Sequence, residues 1–295
     1  MLGSQISKEI RDSFGFYEYG SETETNIDIT DADVLNSLAI ELNSKESWNS
    51  NSADSNGRWW INCAAYTKVD QAEKEPVEAS LLNTIAPSFL AMAASNCNAK
   101  LVHISTDYVF DGNAKEPYRE DSLTNPQSVY GQSKLDGEQS VLANLQDSFV
   151  LRTSWLYGAS GACFPKTMVR VGQERGHLRV VSDQFGCPTS CSGLAKSVEL
   201  LLKTQSVEPG IYHLAGPESM SWYEFAKLCL ETYDEVHQLT QKVTIEPIGT
   251  EDFPTPAKRP KYSALDVSKA RSAGIYSFGT VKDDLLKFWN QNGPI

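Results

Sequence analysis

Along the chain, short runs rich in β-branched and aromatic residues alternate with longer segments in which apolar positions return at helical spacing. That alternation predicts a parallel sheet crossed by helices. Strands are expected at 14–19, 59–64, 100–105 and 149–153, with helical patterns at 31–42, 76–97 and 127–145 between them. The polar stretch NSKESWNSNSADSNG, 43–57, reads as a surface loop insertion. Beyond residue 155 the order loosens: strands are expected at 178–181, 210–214 and 243–248, helices at 192–204 and 221–233, and a short C-terminal helix pair follows the proline-rich DFPTPAKRP. The pattern therefore predicts an α/β unit over 1–155 and a smaller, mixed unit over 156–295, with some of its segments returning to the first sheet.

The opening MLGSQISKEI fits this picture poorly. Leu2-Gly3-Ser4-Gln5 running into Ile6, Glu9 and Ile10 reads as the closing half of a glycine loop already entering a helix. The expectation is that a first strand and the start of that loop are missing.

Composition narrows the partners. With 295 residues, 40% of them hydrophobic, the chain can bury a sizeable core. A formal charge of -12 argues against a general binder of nucleic acid or of anionic membranes, because those partners are drawn to basic surfaces. The six cysteines show no CxxC spacing, no leader-like segment is evident, and no apolar run was expected to span a bilayer, so the expectation is a cytoplasmic protein with reduced thiols. CPTSC, 187–191, has no matching pair elsewhere to complete a zinc site, and no metal is expected.

The candidate chemistry is concentrated in one region. KLVHISTDYVFDG, 100–112, is a buried strand pattern that ends in Ser105, Thr106 and Asp107, and open parallel sheets bind ligands beyond the carboxyl ends of their strands. Downstream, YGQSK sets Tyr130 and Lys134 one helical turn apart, so that phenol and ammonium share a face. A nearby ammonium stabilises a phenolate, which suits Tyr130 to proton transfer, while Thr106 could hold the carbonyl oxygen that receives the proton. The spacing alone is weak: Tyr223 and Lys227 repeat it inside SWYEFAK, with no hydroxyl-tipped strand upstream, and read as part of an amphipathic helix. His103 and His213 fall within apolar strand patterns and read as packed.

Several stretches taken in order carry a resemblance: DITD at 28–31, NCAAYTKVDQAE at 62–73, STDYVFDG at 105–112, YGQSKLDGE at 130–138, LRTSWLYG at 151–158, DQFGCPTS at 183–190, GIYHLAG at 210–216 and RPKYSALD at 259–266. They cover most of the chain, which resembles the extended short-chain dehydrogenase/reductases and, within them, the dTDP-4-dehydrorhamnose reductase family. The resemblance implies a Rossmann-like, doubly wound sheet binding NADPH or NADH over 1–155 and a nucleotide-sugar domain over 156–295. It implies a catalytic set of Thr106, Tyr130 and Lys134, with Lys134 also meeting the nicotinamide ribose. It places Leu2, Gly3, Asp28, Ile29, Ala65, Tyr66 and Thr67 against the cofactor, with Gly3 matching the third glycine of the loop. Thr106, Asp107, Trp155 and Gln184 would meet the deoxysugar, and Arg259 in the basic AKRPK could hold the nucleotide diphosphate. Asp28 or Thr30 could equally cap a helix, Trp155 could be core packing, and Arg259 could lie in a solvated loop. A homodimer is possible. Two alternatives remain open at this level: a non-catalytic regulatory subunit resembling the β subunit of methionine adenosyltransferase, and a nucleotide-sugar epimerase or dehydratase.

Overall fold

The computed structural model describes residues 2–10, 27–44 and 58–295. The strand expected at 14–19 and most of the polar loop at 43–57 lie outside the described residues.

Two helices, α1 (Leu2–Ile10) and α2 (Ala32–Ser44), precede the first described strand, β1 (Arg58–Asn62). A single turn, α3 (Val69–Ala72), leads to the long helix α4 (Pro76–Asn96), and then to β2 (Ala99–Thr106), α5 (Val129–Asn144) and β3 (Ser148–Thr153). The chain continues through β4 (Leu156–Tyr157), α6 (Phe164–Arg175), β5 (His177–Val181), β6 (Phe185–Gly186), β7 (Thr189–Ser190) and α7 (Cys191–Lys203). Last come β8 (Gly210–His213), β9 (Met220–Ser221), α8 (Trp222–His237), β10 (Thr244–Ile248), α9 (Ser268–Ser272) and α10 (Val281–Gln291).

The central sheet is parallel, in the order β1-β2-β3-β8. Side chains alternate across a strand, so neighbours on one strand serve opposite cores. Leu101 and Val150 join Leu35, Ala39, Leu90, Ala91 and Val141 on the side covered by α2, α4 and α5. Val102, Phe149 and Leu151 join Ile6, Leu194, Val198 and Leu201 on the side covered by α1 and α7. Helices on both faces make the sheet doubly wound, which is why β3 is buried along its whole length. A smaller unit forms where β5 and β10 pair and α6, α8 and α10 pack a third core around Phe225, Tyr233, Leu285 and Trp289.

Two details differ from the sequence pattern. The helix expected at 76–97 carries a π turn at Leu81–Ile85, which inserts the fully buried Asn83 between neighbouring segments. That same helix, 21 residues long, is apolar enough by composition to cross a membrane, contrary to expectation. Here Ala86, Leu90, Ala91, Ala93 and Ala94 are buried against β2, α2 and α5.

Candidate active site

β2 delivers Ser105, Thr106 and Asp107 to the carboxyl edge of the sheet and turns there into a tight 3₁₀ turn at Asp107–Val109. Thr106 caps this turn: its Oγ1 accepts the Tyr108 N–H at 3.2 Å, and its hydroxyl donates to Asp107 Oδ1 at 3.1 Å. Helix α5 starts beside the turn because Ser128 Oγ accepts the Gly131 N–H at 3.1 Å and Glu73 accepts the Val129 N–H at 2.9 Å, satisfying donors that a helix start leaves free. Glycine at 131 is required by the close approach: a Cβ there would stand 2.3 Å from the Tyr108 carbonyl oxygen. The first turn of α5 thus sits directly on the strand tip, and the Tyr108 and Tyr130 rings meet edge to face at 5.6 Å.

Thr106 and Tyr130 come together, joined by a side-chain hydrogen bond, and Lys134 follows one helical turn later on α5. Burial raises the Tyr130 phenol well above its ordinary value of 10.0, while a side-chain hydrogen bond with Thr106 pulls the other way. The expected lowering by Lys134 is therefore not what dominates: the ammonium is engaged by the backbone of β2 instead. Lys134 is 1% exposed, donates to the Ile104 carbonyl at 2.6 Å and lies 3.4 Å from His103 Nε2. Burial lowers its pKa to about 8. A phenol held neutral is a proton donor rather than a base, with a lysine behind it that titrates near neutral pH.

Neighbouring polar groups point to a ligand at the strand ends. Asp107 is 2% exposed, and burial pushes its carboxyl up to about 6 against the pull of nearby hydroxyls. Asp107 Oδ2 and Thr153 Oγ1 are buried without a hydrogen-bond partner among the described residues, and Thr106 and Thr153 are register partners on adjacent strands. Buried polar atoms are ordinarily paired, so this edge suits a polar ligand. Arg259 reaches the same edge: it donates to Asp70 Oδ2 at 2.7 Å and to the Tyr108 hydroxyl at 3.1 Å, and so is tied down rather than free in a solvated loop.

Trp155 follows β3 with a φ of 45°, a left-handed conformation that is strained for a bulky residue. Its ring stacks on Trp222 with centroids 3.4 Å apart and covers Gly186, where a Cβ would stand 2.4 Å from the indole. Packing and a place beside the strand ends are both present. Gln184 is 5% exposed and donates to Thr250 Oγ1 at 3.1 Å, and no described contact joins it to Thr106 or Tyr130.

At the same carboxyl edge, one strand over, Ala65, Tyr66 and Thr67 follow β1, and Tyr66 is fixed by its N–H to Asn83 Oδ1 at 2.8 Å and its hydroxyl to Glu75 at 2.5 Å. Leu2 packs into the core beside the sheet, and Gly3, in the first turn of α1, lies against Cys63. Asp28 Oδ1 accepts from the Thr30 N–H at 2.9 Å and hydroxyl at 2.6 Å, which holds the carboxyl below its usual value. Neither Asp28 nor Thr30 caps α2: Asp31 does, accepting from Asp33 and Val34. Ile29 lies in the turn between them. Tyr223 and Lys227 sit on α8, where Tyr223 packs against the third core, with the ammonium 5.8 Å from its tyrosine ring.

Sequence reasoning missed the groups that support the site. Glu138 and Arg152 form a buried ion pair at 2.7 Å beneath Ser105, and Asn62 stands beside His103. An arginine within the apolar run SFVLRT was the one available signal for the first of these.

Comparison with known proteins places this geometry. A family model described as the RmlD substrate binding domain matches residues 1–292. The dTDP-4-dehydrorhamnose reductase of Aggregatibacter actinomycetemcomitans is 38% identical over 281 residues, 92% of this chain and 89% of the relative. The spore coat polysaccharide biosynthesis protein SpsK of Bacillus subtilis is 41% identical over 215 residues, 73% of each chain. The crystal structure of dTDP-4-dehydrorhamnose reductase from Bacillus anthracis in complex with NADP superposes with a TM-score of 0.87 at 36% identity, covering 99% of this chain and 95% of that one. The fold also matches UDP-glucose 4-epimerase from Thermus thermophilus, at a TM-score of 0.76 and 16% identity. Matched by that family model over nearly its whole length and by such a relative over nine-tenths of it, the chain belongs to the RmlD family of dTDP-4-dehydrorhamnose reductases.

Proposed function

We propose that the chain is a nicotinamide-dependent oxidoreductase that reduces the 4-keto group of a nucleotide-linked 6-deoxyhexose, dTDP-4-dehydro-L-rhamnose, to give dTDP-L-rhamnose. The observation that carries the catalytic assignment is the half-buried, neutral Tyr130 at the tip of β2, hydrogen-bonded with Thr106 and one helical turn before Lys134. When bound, NADPH or NADH supplies hydride to carbon 4. The Thr106 hydroxyl orients the sugar carbonyl, and Tyr130 protonates the oxygen as charge develops on it. Lys134 steadies the phenolate that Tyr130 becomes and returns its proton.

Residues 1–155 serve the cofactor, with Leu2 and Gly3 at its pyrophosphate, Asp28 and Ile29 at its adenine end and Ala65, Tyr66 and Thr67 along it. Residues 156–295 chiefly serve the sugar, together with Asp107 and Trp155, while Gln184 shapes the loop below the indole and Arg259 faces the diphosphate. The donor set fits a cofactor and sugar lying across the strand ends, since Asp107 and Thr153 present buried, unpartnered oxygens there.

The test is keto-sugar-dependent oxidation of NADPH. Tyr130→Phe removes the proton and keeps the ring, so turnover should fall by roughly 10²- to 10⁴-fold with sugar binding retained. Tyr223→Phe should behave like the parent. Equal turnover in the parent and Tyr130→Phe would overturn the assignment.

A further inference from the structure

Behind Lys134 a line of polar groups runs through the sheet. Asn62 closes β1 and is the register partner of His103 on β2; they are 6% and 0% exposed. The Ala64 N–H donates to Asn62 Oδ1 at 3.0 Å, which fixes the amide with its NH₂ towards His103 Nδ1, 3.1 Å away. The ring nitrogen facing that NH₂ must accept. A neutral imidazole that accepts at Nδ1 carries its proton on Nε2, and Nε2 is the atom 3.4 Å from Lys134 Nζ. His103 is neutral, since burial and the charge of Lys134 push its pKa well below the ordinary value. An N–H opposite an ammonium sets two donors face to face, whereas opposite an amine it finds a lone pair.

We propose that Asn62 and His103 are positioning residues that set the balance between the two protonation states of Lys134, His103 offering its Nε2–H to the amine and disfavouring the ammonium while the Ile104 carbonyl accepts from either form. The inference rests on the reading of Lys134 as the partner of Tyr130. Other groups facing the ammonium do not take over this role. Glu138, one turn further along α5, favours the charged lysine, but its carboxylate is engaged by Arg152 of β3 and by Ser105 of β2 and makes no hydrogen bond to Lys134 among the described residues. Burial pushes the Cys63 thiol, just past β1, up to about 12, and Tyr130 on the same helix is also held neutral. The lowering of Lys134 to about 8, caused by burial first, agrees with a lysine that exchanges its proton in place.

Two measurements test this. In the ¹⁵N-histidine NMR spectrum of the intact protein, His103 should appear at neutral pH with its proton on Nε2, and Asn62→Asp, whose carboxylate demands an N–H at Nδ1, should move it there. His103→Gln can turn a carbonyl to the ammonium and stabilise it, so the alkaline limb of kcat should move up by about one pH unit with little change in the sugar KM. A purely structural histidine would leave that limb where it is. A proton on Nδ1 in the parent, or an unmoved limb in a folded His103→Gln variant, overturns the proposal. Full activity in Tyr130→Phe would instead sink the parent reading, and the spectrum would still decide the tautomer.

Discussion

Asp107 shows what the strand tip costs a single side chain. Its folded pKa, about 6, stands above the ordinary 3.8, so the fold favours the protonated carboxyl. The stability from that preference is complete below about pH 4 and is lost as pH rises through about 6, where ionisation in a buried site must be tolerated. Asp107→Asn stays neutral throughout. It should unfold less readily than the parent at about pH 8, by up to roughly 3 kcal/mol, and the difference should close near pH 4. Chemical denaturation at the two pH values measures this, and curves that differ equally at both would rule out ionisation as the cause. At this scale the sequence was informative where chemistry follows local spacing. Thr106, Tyr130 and Lys134 were legible because a strand tip and one helical turn set their relation. The ties of Arg259 to Asp70, 189 residues apart, and of Lys134 to His103 were not, because folding alone brings those residues together.

Among the elements, α5 carries the most demanding fit. Its first turn touches the backbone of the strand tip through Gly131, and that contact positions Tyr130. Gly131→Ala would put a methyl group 2.3 Å from the Tyr108 carbonyl oxygen, so the backbone itself must move. The expected cost is about 1–3 kcal/mol, the usual range for overpacking. Displacement of the proton donor should lower kcat by about 10²-fold while the sugar KM changes little. Steady-state kinetics beside a denaturation curve check both, and an unchanged kcat would show that the first turn can yield without moving the phenol. β2 and β3 were legible as strands because both faces are buried and their sequences are nearly continuous in apolar residues. The π turn at Leu81–Ile85 was not, since no residue type in LLNTI marks it. The two-residue strands β4, β6, β7 and β9 escaped for another reason: each pairs only where the fold has already brought its partner alongside.

For the molecule as a whole, the doubly wound plan follows from the alternation of buried strands with helices, but the connection between its layers depends on charges the pattern hides. Arg152 and Glu138, 2% and 1% exposed, join β3 to α5. Ser105 of β2 adds its hydroxyl to the carboxylate, and the guanidinium lies 5.1 Å over the Phe110 ring. Glu120, whose carbonyl meets Arg152, accepts the His213 N–H of β8 at 3.0 Å, so three of the four strands described in the central sheet are linked through this network. Removing one charge leaves the other buried and uncompensated, whereas removing both relieves two desolvation costs at once. Glu138→Gln should therefore lose roughly 3–5 kcal/mol, and Glu138→Leu combined with Arg152→Met should recover most of it. Denaturation midpoints for the single and double variants give the comparison. The pair also stands close to Lys134, whose charged form Glu138 favours. The double variant should then fold well yet lose turnover at lower pH than the parent, because the depression of Lys134 by burial would no longer be opposed. A double variant with parental stability and a parental pH profile would reduce the pair to packing alone.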